Sequence, residues 1–286
     1  MTLLVEPPFF ATEAVAHVGQ HDFERVARML AARAGLVIGE HKREMADRTL
    51  GLRAKRLGKH SIDEYLDVLE RDGDSPEWDY FVNAFTINHT SFFREAHHFD
   101  TLAKWARDRK QPLSIWCCAA STGEEPYSIA MTLRDALPPG GPLASIWASD
   151  IDTHAIERAG LGVYSLERAK SVPQAQMKKY FHRGIGSQVG MVRVKPVIRD
   201  MVQFGVFNLV SRAWPSDRKF DVIFCRNVMI YFDKETQTQI LEKLATTLRP
   251  GGLLFAGHSE NFTYLTKAFR LQGQTVYVKA RGDKHS

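Results

Sequence analysis

The sequence predicts an α/β fold in which a doubly wound, mostly parallel sheet follows a small helical domain. From about residue 95, apolar strand-like runs alternate with helical patterns, which is typical of largely parallel sheets. Residues 113–118 form an almost wholly apolar run, as expected of a strand that is buried on both faces. In residues 1–80, apolar side chains instead recur at the spacing of amphipathic helices.

Residues 1–80 are expected to form the helical domain, and residues 81–94 a linker of helix and loop that contributes to the functional site. Capping and periodicity signals predict four helical segments in this region. The first segment has a cap at Asp22 and ends at Gly35, and the second spans residues 40–57. The third begins with a capping box at Ser61 and Glu64, and the fourth carries the apolar residues Trp78, Phe81, Val82 and Phe85.

The remaining residues, 95–286, are expected to form the sheet domain. Its predicted strands are 113–118, 144–148, 220–225, 253–257 and 274–279, and its clearest helices are 126–137 and 234–248. Pro126 suits the first turn of a helix because it has no N–H to donate there. The last strand is expected to be antiparallel and to lie at the end of the sheet.

Composition limits the class of protein. The 286 residues are 44% hydrophobic, which is enough for one large core and a smaller one. No apolar run approaches the roughly 18 to 20 residues that span a bilayer, and a secretory signal pattern is missing. We therefore expect a cytoplasmic protein. The three cysteines have neither disulfide nor zinc spacing, and the histidines have no metal-ligand spacing, so no metal site is predicted.

The net charge of +5 is concentrated in one predicted helix. Residues 41–60 hold seven Lys or Arg residues and two acids, so their excess equals that of the whole chain. With 100° per residue, a helix here has a stripe of cations. This basic stripe consists of Arg48, Arg53, Lys55, Arg56 and Lys59. Such charge runs are usually solvated helix faces, but this concentration on an otherwise neutral chain favours a surface that binds an acidic partner.

Three polar segments stand beside these elements, at residues 86–95, 119–127 and 224–232. The second and third segments follow predicted strands, and Asp150 follows another. In open α/β sheets ligands bind outside the carboxyl ends of the strands. An acid at the end of the second strand commonly accepts hydrogen bonds from ribose hydroxyls, which makes Asp150 a candidate for that role. The pattern predicts a nucleotide-like cofactor.

The loop after the first strand favours a cofactor without phosphates. Residues 119–125 contain a single glycine, so the G-x-G-x-x-G cradle of dinucleotide sites is missing and NAD is disfavoured. Glu124 and Glu125 offer carboxylates instead, which suit the amino group and sulfonium of S-adenosylmethionine (SAM). The sequence leaves open which of the two contacts the cofactor, because an acid at a helix start is favoured anyway.

Taken together, the three segments closely resemble those of the CheR family of chemotaxis methyltransferases, over nearly the whole chain. The resemblance implies SAM as cofactor, S-adenosylhomocysteine as product, and a class I SAM-dependent methyltransferase sheet with an inserted antiparallel β-subdomain at about 178–204. It implies that Arg94 and Tyr231 lie near the transferred methyl group. The residues implied to surround the cofactor are Asn88, Thr90, Arg94, Glu125, Asp150, Asn208, Leu209, Arg226 and Asn227.

The function implied by the resemblance is methylation of glutamate side chains on chemoreceptors. A glutamate is ionised at neutral pH, so direct in-line transfer needs no general base. The basic stripe would face the receptor's cytoplasmic helical bundle. Gly184, Gly186 and Arg193 match positions that bind a receptor C-terminal pentapeptide in some family members. We expect a monomer that reaches the membrane only through its receptor and binds no nucleic acid.

Two other functions stay open. A basic composition suggests a nucleic-acid methyltransferase, although the basic excess is confined to one segment and no Asn-Pro-Pro-Tyr loop follows the strand 220–225. A signalling module could bind SAM or a receptor tail without turnover, but the intact matches at Arg94 and Tyr231 oppose that interpretation.

Overall fold

The computed structural model describes residues 18–141, 143–215 and 217–280. The first α-helices in the described part of the chain are α1 Gln20–Ala34, α2 Arg43–Arg56, α3 Ile62–Arg71 and α4 Glu77–Asn83. Residues 1–17 of the expected helical domain and residues 281–286 of the expected sheet domain lie outside the described residues. No helix in the described ranges combines the length and apolar character that crossing a bilayer requires.

The ends of the first helices follow local sequence signals with one correction. Asp22 is not the cap of α1: Gly19 precedes the helix, and the Asp22 carboxylate accepts a hydrogen bond from the Gly19 N–H (3.3 Å). Gly35 ends α1 with a φ of 69°. Ser61 caps α3 as predicted, because its Oγ accepts a hydrogen bond from the Glu64 N–H (3.1 Å).

The apolar faces of the four helices pack into one cluster. Phe23 and Leu30 of α1 meet Tyr65 of α3 and Phe81 of α4 there, all nearly inaccessible to solvent. The cluster continues to Phe85, so the expected domain boundary at residue 80 falls inside α4.

The rest of the chain alternates strands and helices. In order, these are α5 His97–Arg107, β1 Leu113–Cys117, α6 Glu124–Ala136, β2 Ala144–Asp150, α7 Thr153–Leu161, β3 Val163–Ser165, α8 Gln174–Tyr180, β4 Phe181–Arg183, β5 Met191–Val194, α9 Pro196–Arg199, β6 Val202–Val206, β7 Phe220–Cys225, α10 Lys234–Thr247, β8 Leu248–Ala256, β9 Phe269–Gly273 and β10 Val276–Lys279.

Seven strands form the main sheet in the order β6-β2-β1-β7-β8-β10-β9. The strands from β6 to β8 pair in parallel, and β10 is antiparallel to both β8 and β9. Ile115 and Val222 face the core under α5 and α6, while Trp116 and Ile223 face the core under α10. The predicted α/β class with helices on both faces is confirmed. The position of the last strand is corrected: β9 forms the end of the sheet, and β10 lies inside it.

A second sheet of three antiparallel strands, in the order β3-β5-β4, confirms the inserted β-subdomain. Its limits differ from the expected interval 178–204. The strand β3 precedes that interval, whereas β6, which begins inside it, pairs with β2 in the main sheet.

One buried histidine ties α5 to the last hairpin. The Nε2 atom of His98 lies 3.0 Å from the Gln274 carbonyl oxygen and 3.1 Å from the Thr275 hydroxyl. Gln274 and Thr275 form the β9–β10 turn with φ angles of 46° and 60°, and positive values at both positions are what a type I′ hairpin turn requires. Burial lowers the pKa of His98 to about 4, and the charge of Arg226 acts in the same direction.

This pKa shift predicts a pH-dependent stability. The histidine titrates near pH 6.5 when unfolded, so between pH 6.5 and about pH 4 the unfolded chain binds more protons than the folded one. Lowering the pH from 7 to 5 should therefore remove about 2 kcal/mol of stability through His98. Urea unfolding should show that His98→Gln loses less stability over this range than the wild type. The exposed His154→Gln variant is the control, and equal losses in His98→Gln and wild type would contradict the prediction.

Candidate active site

A cavity opens at the carboxyl ends of β1, β2 and β7. About 700 Å³ of space, including open solvent at its mouth, lies between its walls. All three polar segments line it, and Leu36 and Phe85 of the helical part complete its wall. The predicted site residues in the lining are Asn88, Thr90, Arg94, Glu125, Asp150, Arg226, Asn227 and Tyr231.

The loop between β1 and α6 is shaped around Asp150. Ser121 has a φ of 47°, and its N–H donates a hydrogen bond to Asp150 Oδ2 (2.8 Å). Gly123 has a φ of 97°, and a side chain there would meet the Tyr164 hydroxyl at 2.7 Å, so only glycine fits. Asp150 Oδ1 accepts a second bond from the Asp152 N–H (3.0 Å). Burial raises the pKa of Asp150, and these two N–H groups oppose the rise.

Asp152 organises the first polar segment, although it was not among the predicted site residues. Its Oδ2 accepts hydrogen bonds from Thr86 Oγ1 (2.6 Å) and Asn88 Nδ2 (2.7 Å). Its Oδ1 caps α7 by accepting from the Ala155 N–H (2.9 Å). An acid directly before a helix is a recognisable cap signal, but the bonds to residues 86–88 span more than sixty positions and leave no local pattern. Asp152 thus holds the first segment over the sheet edge.

A buried ion cluster joins the three segments beneath the cavity. Arg226 Nη1 donates to Glu125 Oε2 (2.5 Å), while Nη2 donates to the Arg94 carbonyl (2.7 Å) and lies 3.3 Å from Glu95 Oε2. Burial raises the pKa of Glu125, against the opposing effect of Arg226. Burial would also raise the pKa of Glu95, but Arg226 and the His258 N–H hold it below its usual value.

The two candidate carboxylates of α6 have different surroundings. Glu125 lines the cavity, and its Oε1 accepts a weak hydrogen bond from the Cys117 thiol (3.3 Å). Glu124 is not part of the lining: it accepts a hydrogen bond from Thr122 Oγ1 (2.8 Å) and forms an ion pair with Arg168. The geometry therefore favours Glu125 over Glu124 as the group that faces a ligand.

Glu260 holds the loop after β7, and no sequence pattern singled it out. Its buried carboxylate accepts hydrogen bonds from four backbone N–H groups, at distances of 2.6 to 3.0 Å. The donors are Asn227, Val228, Met229 and Gly257. Asn227 has a φ of 58°. A Cβ added to Gly257 would stand only 2.3 Å from the side-chain Nδ2 of Asn227, so the glycine leaves room for that side chain.

Arg94 and Tyr231, the two residues expected near the methyl group, share this cavity. Arg94 Nη1 donates to the His89 carbonyl (3.0 Å), which places its guanidinium over the first segment. Tyr231 ends a short 3-10 helix, Met229–Tyr231, and its carbonyl accepts a hydrogen bond from the Val37 N–H (2.9 Å). Burial raises the pKa of Tyr231, and the nearby charge of Arg94 opposes that rise.

The structure does not bring Asn208 and Leu209 into the cavity lining. The Asn208 amide donates to the Arg33 carbonyl (2.8 Å) in a neighbouring surface depression that shares Ile151 with the cavity. Leu209 is buried in the core under α10.

One member of the basic stripe is part of the fold. Arg53 donates two hydrogen bonds to the Glu77 carboxylate (2.7 and 2.5 Å), and its guanidinium lies 4.0 Å from the centre of the Tyr80 ring. Arg48, Lys55 and Arg56 are exposed on α2, and Lys59 is half-buried. Arg53 therefore contributes to helix packing, which its position in the charge pattern did not indicate.

In the β-subdomain, the two predicted glycines have structural roles of their own. A Cβ on Gly184 would stand 2.0 Å from the Gln188 carbonyl oxygen, and Gly186 has a φ of 57°. Arg193 is exposed on β5, the central strand. These three residues lie together on the hairpin from β4 to β5.

Within the described ranges, one set of side chains meets the spacing of a metal site, which sequence spacing did not predict. Ligand atoms of Glu95, His97 and His98 lie within 4.8 Å of one another. The Arg226 guanidinium stands 3.3 Å from Glu95 Oε2 and opposes a second cation there.

Protein-family models match both parts of the chain. Residues 21–86 match the all-alpha domain of CheR methyltransferases, and residues 88–278 match the SAM binding domain of CheR methyltransferases. The chain belongs to the CheR methyltransferase family. The expected enzyme class, a methyltransferase, and the expected cofactor, SAM, are thereby confirmed.

Relatives of this CheR protein are similar over most of their length. The chemotaxis protein methyltransferase of Klebsiella aerogenes is 51% identical, over 89% of this chain and 88% of that protein. The chemotaxis protein methyltransferase of Salmonella typhimurium is 48% identical, over 91% and 90%. That of Escherichia coli is 46% identical, over 94% of each chain.

The position of Asp150 predicts a specific loss of SAM affinity. Hydrogen bonds to a charged acceptor are worth about 1.5–3 kcal/mol, so Asp150→Ala should weaken SAM binding roughly 10- to 150-fold. Calorimetry measures this change. The matched control is Asp221→Ala, because Asp221 also accepts a backbone N–H, that of Ser114 (2.8 Å), but lies at the opposite end of β7. Unchanged affinity in Asp150→Ala would remove Asp150 from the site.

Proposed function

We propose that this CheR family member methylates glutamate side chains on the cytoplasmic helical bundles of chemoreceptors. The observation that carries the proposal is a single cavity in which two carboxylates, Glu125 and Asp150, stand with Arg94 and Tyr231. The names of its relatives, chemotaxis protein methyltransferases, support the same biological role.

The polar groups of the cavity suit SAM. Each oxygen of Asp150 accepts one backbone N–H and keeps a lone pair, which is enough to receive ribose hydroxyls. The Glu125 carboxylate is oriented by Arg226 and offers negative charge to the amino group of SAM. Asn88 is fixed by Asp152 and by the Ser121 hydroxyl, which donates to its Oδ1 (2.9 Å), and so closes the pocket beside Asp150.

The methyl acceptor would enter beside Arg94 and Tyr231. SAM, when bound, supplies a methyl group on a positively charged sulfur. Arg94 orients the receptor carboxylate by charge-assisted hydrogen bonds, and a loose contact is sufficient because tight binding would weaken the nucleophile. A tyrosine, with an ordinary pKa of about 10, is protonated at neutral pH, so the Tyr231 hydroxyl can donate a hydrogen bond without adding negative charge. The acceptor glutamate, with a pKa of about 4.3, needs no general base.

The proposal is tested by incubating the protein with labelled SAM and receptor-bearing membranes. Alkali-labile methyl esters on the receptor are the expected product. Label in added nucleic acid would support a nucleic-acid methyltransferase instead, and SAM binding without transfer to either substrate would support a binding module.

A variant of Tyr231 distinguishes a role in turnover from a role in SAM binding. We expect Tyr231→Phe to lower kcat while leaving the affinity for SAM nearly unchanged, because the variant keeps the ring and removes only the hydroxyl. A loss of roughly 10-fold or more in kcat corresponds to about 1.4 kcal/mol of transition-state stabilisation. Initial rates and calorimetry test this, and equal rates in variant and wild type would leave Tyr231 as a packing residue.

The receptor bundle would meet two surfaces besides the cavity. The basic stripe on α2 presents Arg48 and Arg56 to glutamate-lined helices. In the small sheet, β4 is an edge strand, so a receptor C-terminal peptide can add to it by strand pairing near Gly184 and Arg193.

Charge reversal tests whether the basic stripe contributes to receptor binding. Arg53 is a poor target because its reversal would also break the pair with Glu77. Arg48→Glu with Arg56→Glu should slow receptor methylation roughly tenfold at low salt, since surface charges steer encounter. The effect should fade as the Debye length falls below about 8 Å. The control is Arg107→Glu with Lys110→Glu, two exposed cations at the end of α5 and just after it. Full activity of the stripe variant at every salt concentration would move receptor recognition elsewhere.

A further inference from the structure

The loop between β1 and α6, which supplies part of the cavity lining, is also held by the β-subdomain. The Tyr164 hydroxyl in β3 donates a hydrogen bond to the Thr122 carbonyl (2.8 Å). In the turns that follow β3, Arg168 Nη2 donates to Thr122 Oγ1 (2.7 Å) and forms an ion pair with Glu124 Oε1. Arg168 and Glu124 lie outside the cavity lining, so the proposed methyl transfer gives them no direct role.

Glu124 is a buried carboxylate with a cation beside it. It is inaccessible to solvent, and its Oε2 accepts a hydrogen bond from Thr122 Oγ1 (2.8 Å). Burial raises the pKa of Glu124, whereas the Thr122 hydroxyl and the charge of Arg168 oppose that rise. Tyr164 is a second titratable neighbour: burial raises its pKa, and the charge of Glu124 acts in the same direction. Arg168 is therefore the cation that compensates the buried charge of Glu124.

The residues held in this way are chain neighbours of residues that face the cavity. Ser121 and Glu125 belong to the cavity lining, and Thr122 and Glu124 lie directly beside them in the sequence. Ser121 has a left-handed φ of 47°, a conformation that persists only where the surroundings impose it. A shift of Thr122 or Glu124 therefore moves the atoms that a bound cofactor would contact.

The turns after β3 also support the first polar segment. Ser171 Oγ donates a hydrogen bond to the Phe92 carbonyl (2.8 Å), and the Phe92 ring packs edge-on against Tyr164, with 4.9 Å between the ring centres. Residues 164–171 thus contact two of the three segments that line the cavity. The Arg168 side chain is 42% exposed, so it can be replaced without opening the core.

We propose that Arg168 is a positioning residue for SAM binding, which acts through Glu124 on the loop that carries Ser121 and Glu125. The inference deepens the proposed function and rests on one part of it, the binding of SAM in this cavity. It does not depend on the identity of the methyl acceptor. Because the two residues expected near the methyl group lie on other segments, Arg168 contributes to the affinity for SAM and not to the transfer step.

The first test removes the cation and then restores it. Arg168→Met should weaken SAM binding roughly 5- to 30-fold, between the contributions of an exposed and a fully buried ion pair. Calorimetry measures this loss. At saturating SAM, kcat with receptor-bearing membranes should stay within about twofold of the wild type. Arg168→Lys should restore most of the affinity, because a single nitrogen of Arg168 makes both contacts and an ammonium group can replace it.

A double-mutant cycle tests whether Arg168 acts through the carboxylate. Glu124→Gln keeps the shape of that side chain and removes its charge. In the Glu124→Gln background, Arg168→Met should change SAM affinity less than about twofold, because coupled residues have non-additive effects. The matched control is Arg249→Met, which should leave SAM affinity unchanged. Arg249 is 46% exposed and pairs with Asp221 (2.7 Å) at the opposite end of β7.

The outcomes separate this inference from the receptor function. Unchanged SAM affinity in Arg168→Met would overturn the inference, and so would an equal loss of affinity in Arg168→Lys. Equal effects of Arg168→Met with and without Glu124→Gln would also overturn it, because the loss would then not pass through the carboxylate. If the wild type binds SAM but forms no receptor methyl esters, the receptor function alone fails, since the affinity measurements would still support Arg168.

Discussion

The buried guanidinium of Arg226 is the interaction on which the site depends. It joins the segment that follows β7 to Glu125 in α6 and to the backbone and side chain of residues 94 and 95. Each of the three polar segments thus supplies one side of the same cluster. Removing one partner from such a buried pair leaves an uncompensated charge, at a cost of about 3–5 kcal/mol. The cluster therefore fixes the relative position of segments that are far apart in the chain.

These same segments hold most of the strained backbone. Of the six non-glycine residues with positive φ in the described chain, four lie here: Phe93, Glu95, Ser121 and Asn227. A left-handed conformation costs a non-glycine residue on the order of 1–3 kcal/mol, and it persists only where the surroundings impose it. Asp150 holds Ser121, Arg226 holds Glu95, and Glu260 holds Asn227. Three carboxylates and one guanidinium thus contact backbone segments whose conformations are otherwise unfavourable.

Local patterns were sufficient to predict the parts of this fold that local physics decides. The strand Phe220–Cys225 and the capped start of α3 follow from apolar runs and from one side-chain bond across three residues. Hydrogen bonds and ion pairs between residues far apart in the chain leave no such local pattern in the sequence. Arg53 belongs to a charge pattern in the sequence, yet its partner Glu77 lies on another helix. The roles of Asp152 and Glu260 likewise could not be predicted from the sequence, because their partners are the hydroxyl, amide and N–H groups of distant segments. The order of the strands could not be predicted for the same reason, because no sequence feature near β10 indicates that β9 pairs with its outer edge.

The helical part and the sheet part share one site. Leu36 and Phe85 close the cavity wall, and Asn83 Nδ2 donates to Thr153 Oγ1 (2.8 Å) across the junction. The Val37 N–H reaches the carbonyl of Tyr231 in the same way. The basic stripe on α2 follows this connection directly in the chain, after the short 3-10 helix Glu40–Lys42. The helix that carries the stripe thus begins only a few residues after Leu36, which lines the cavity, and Val37, whose N–H bonds to Tyr231.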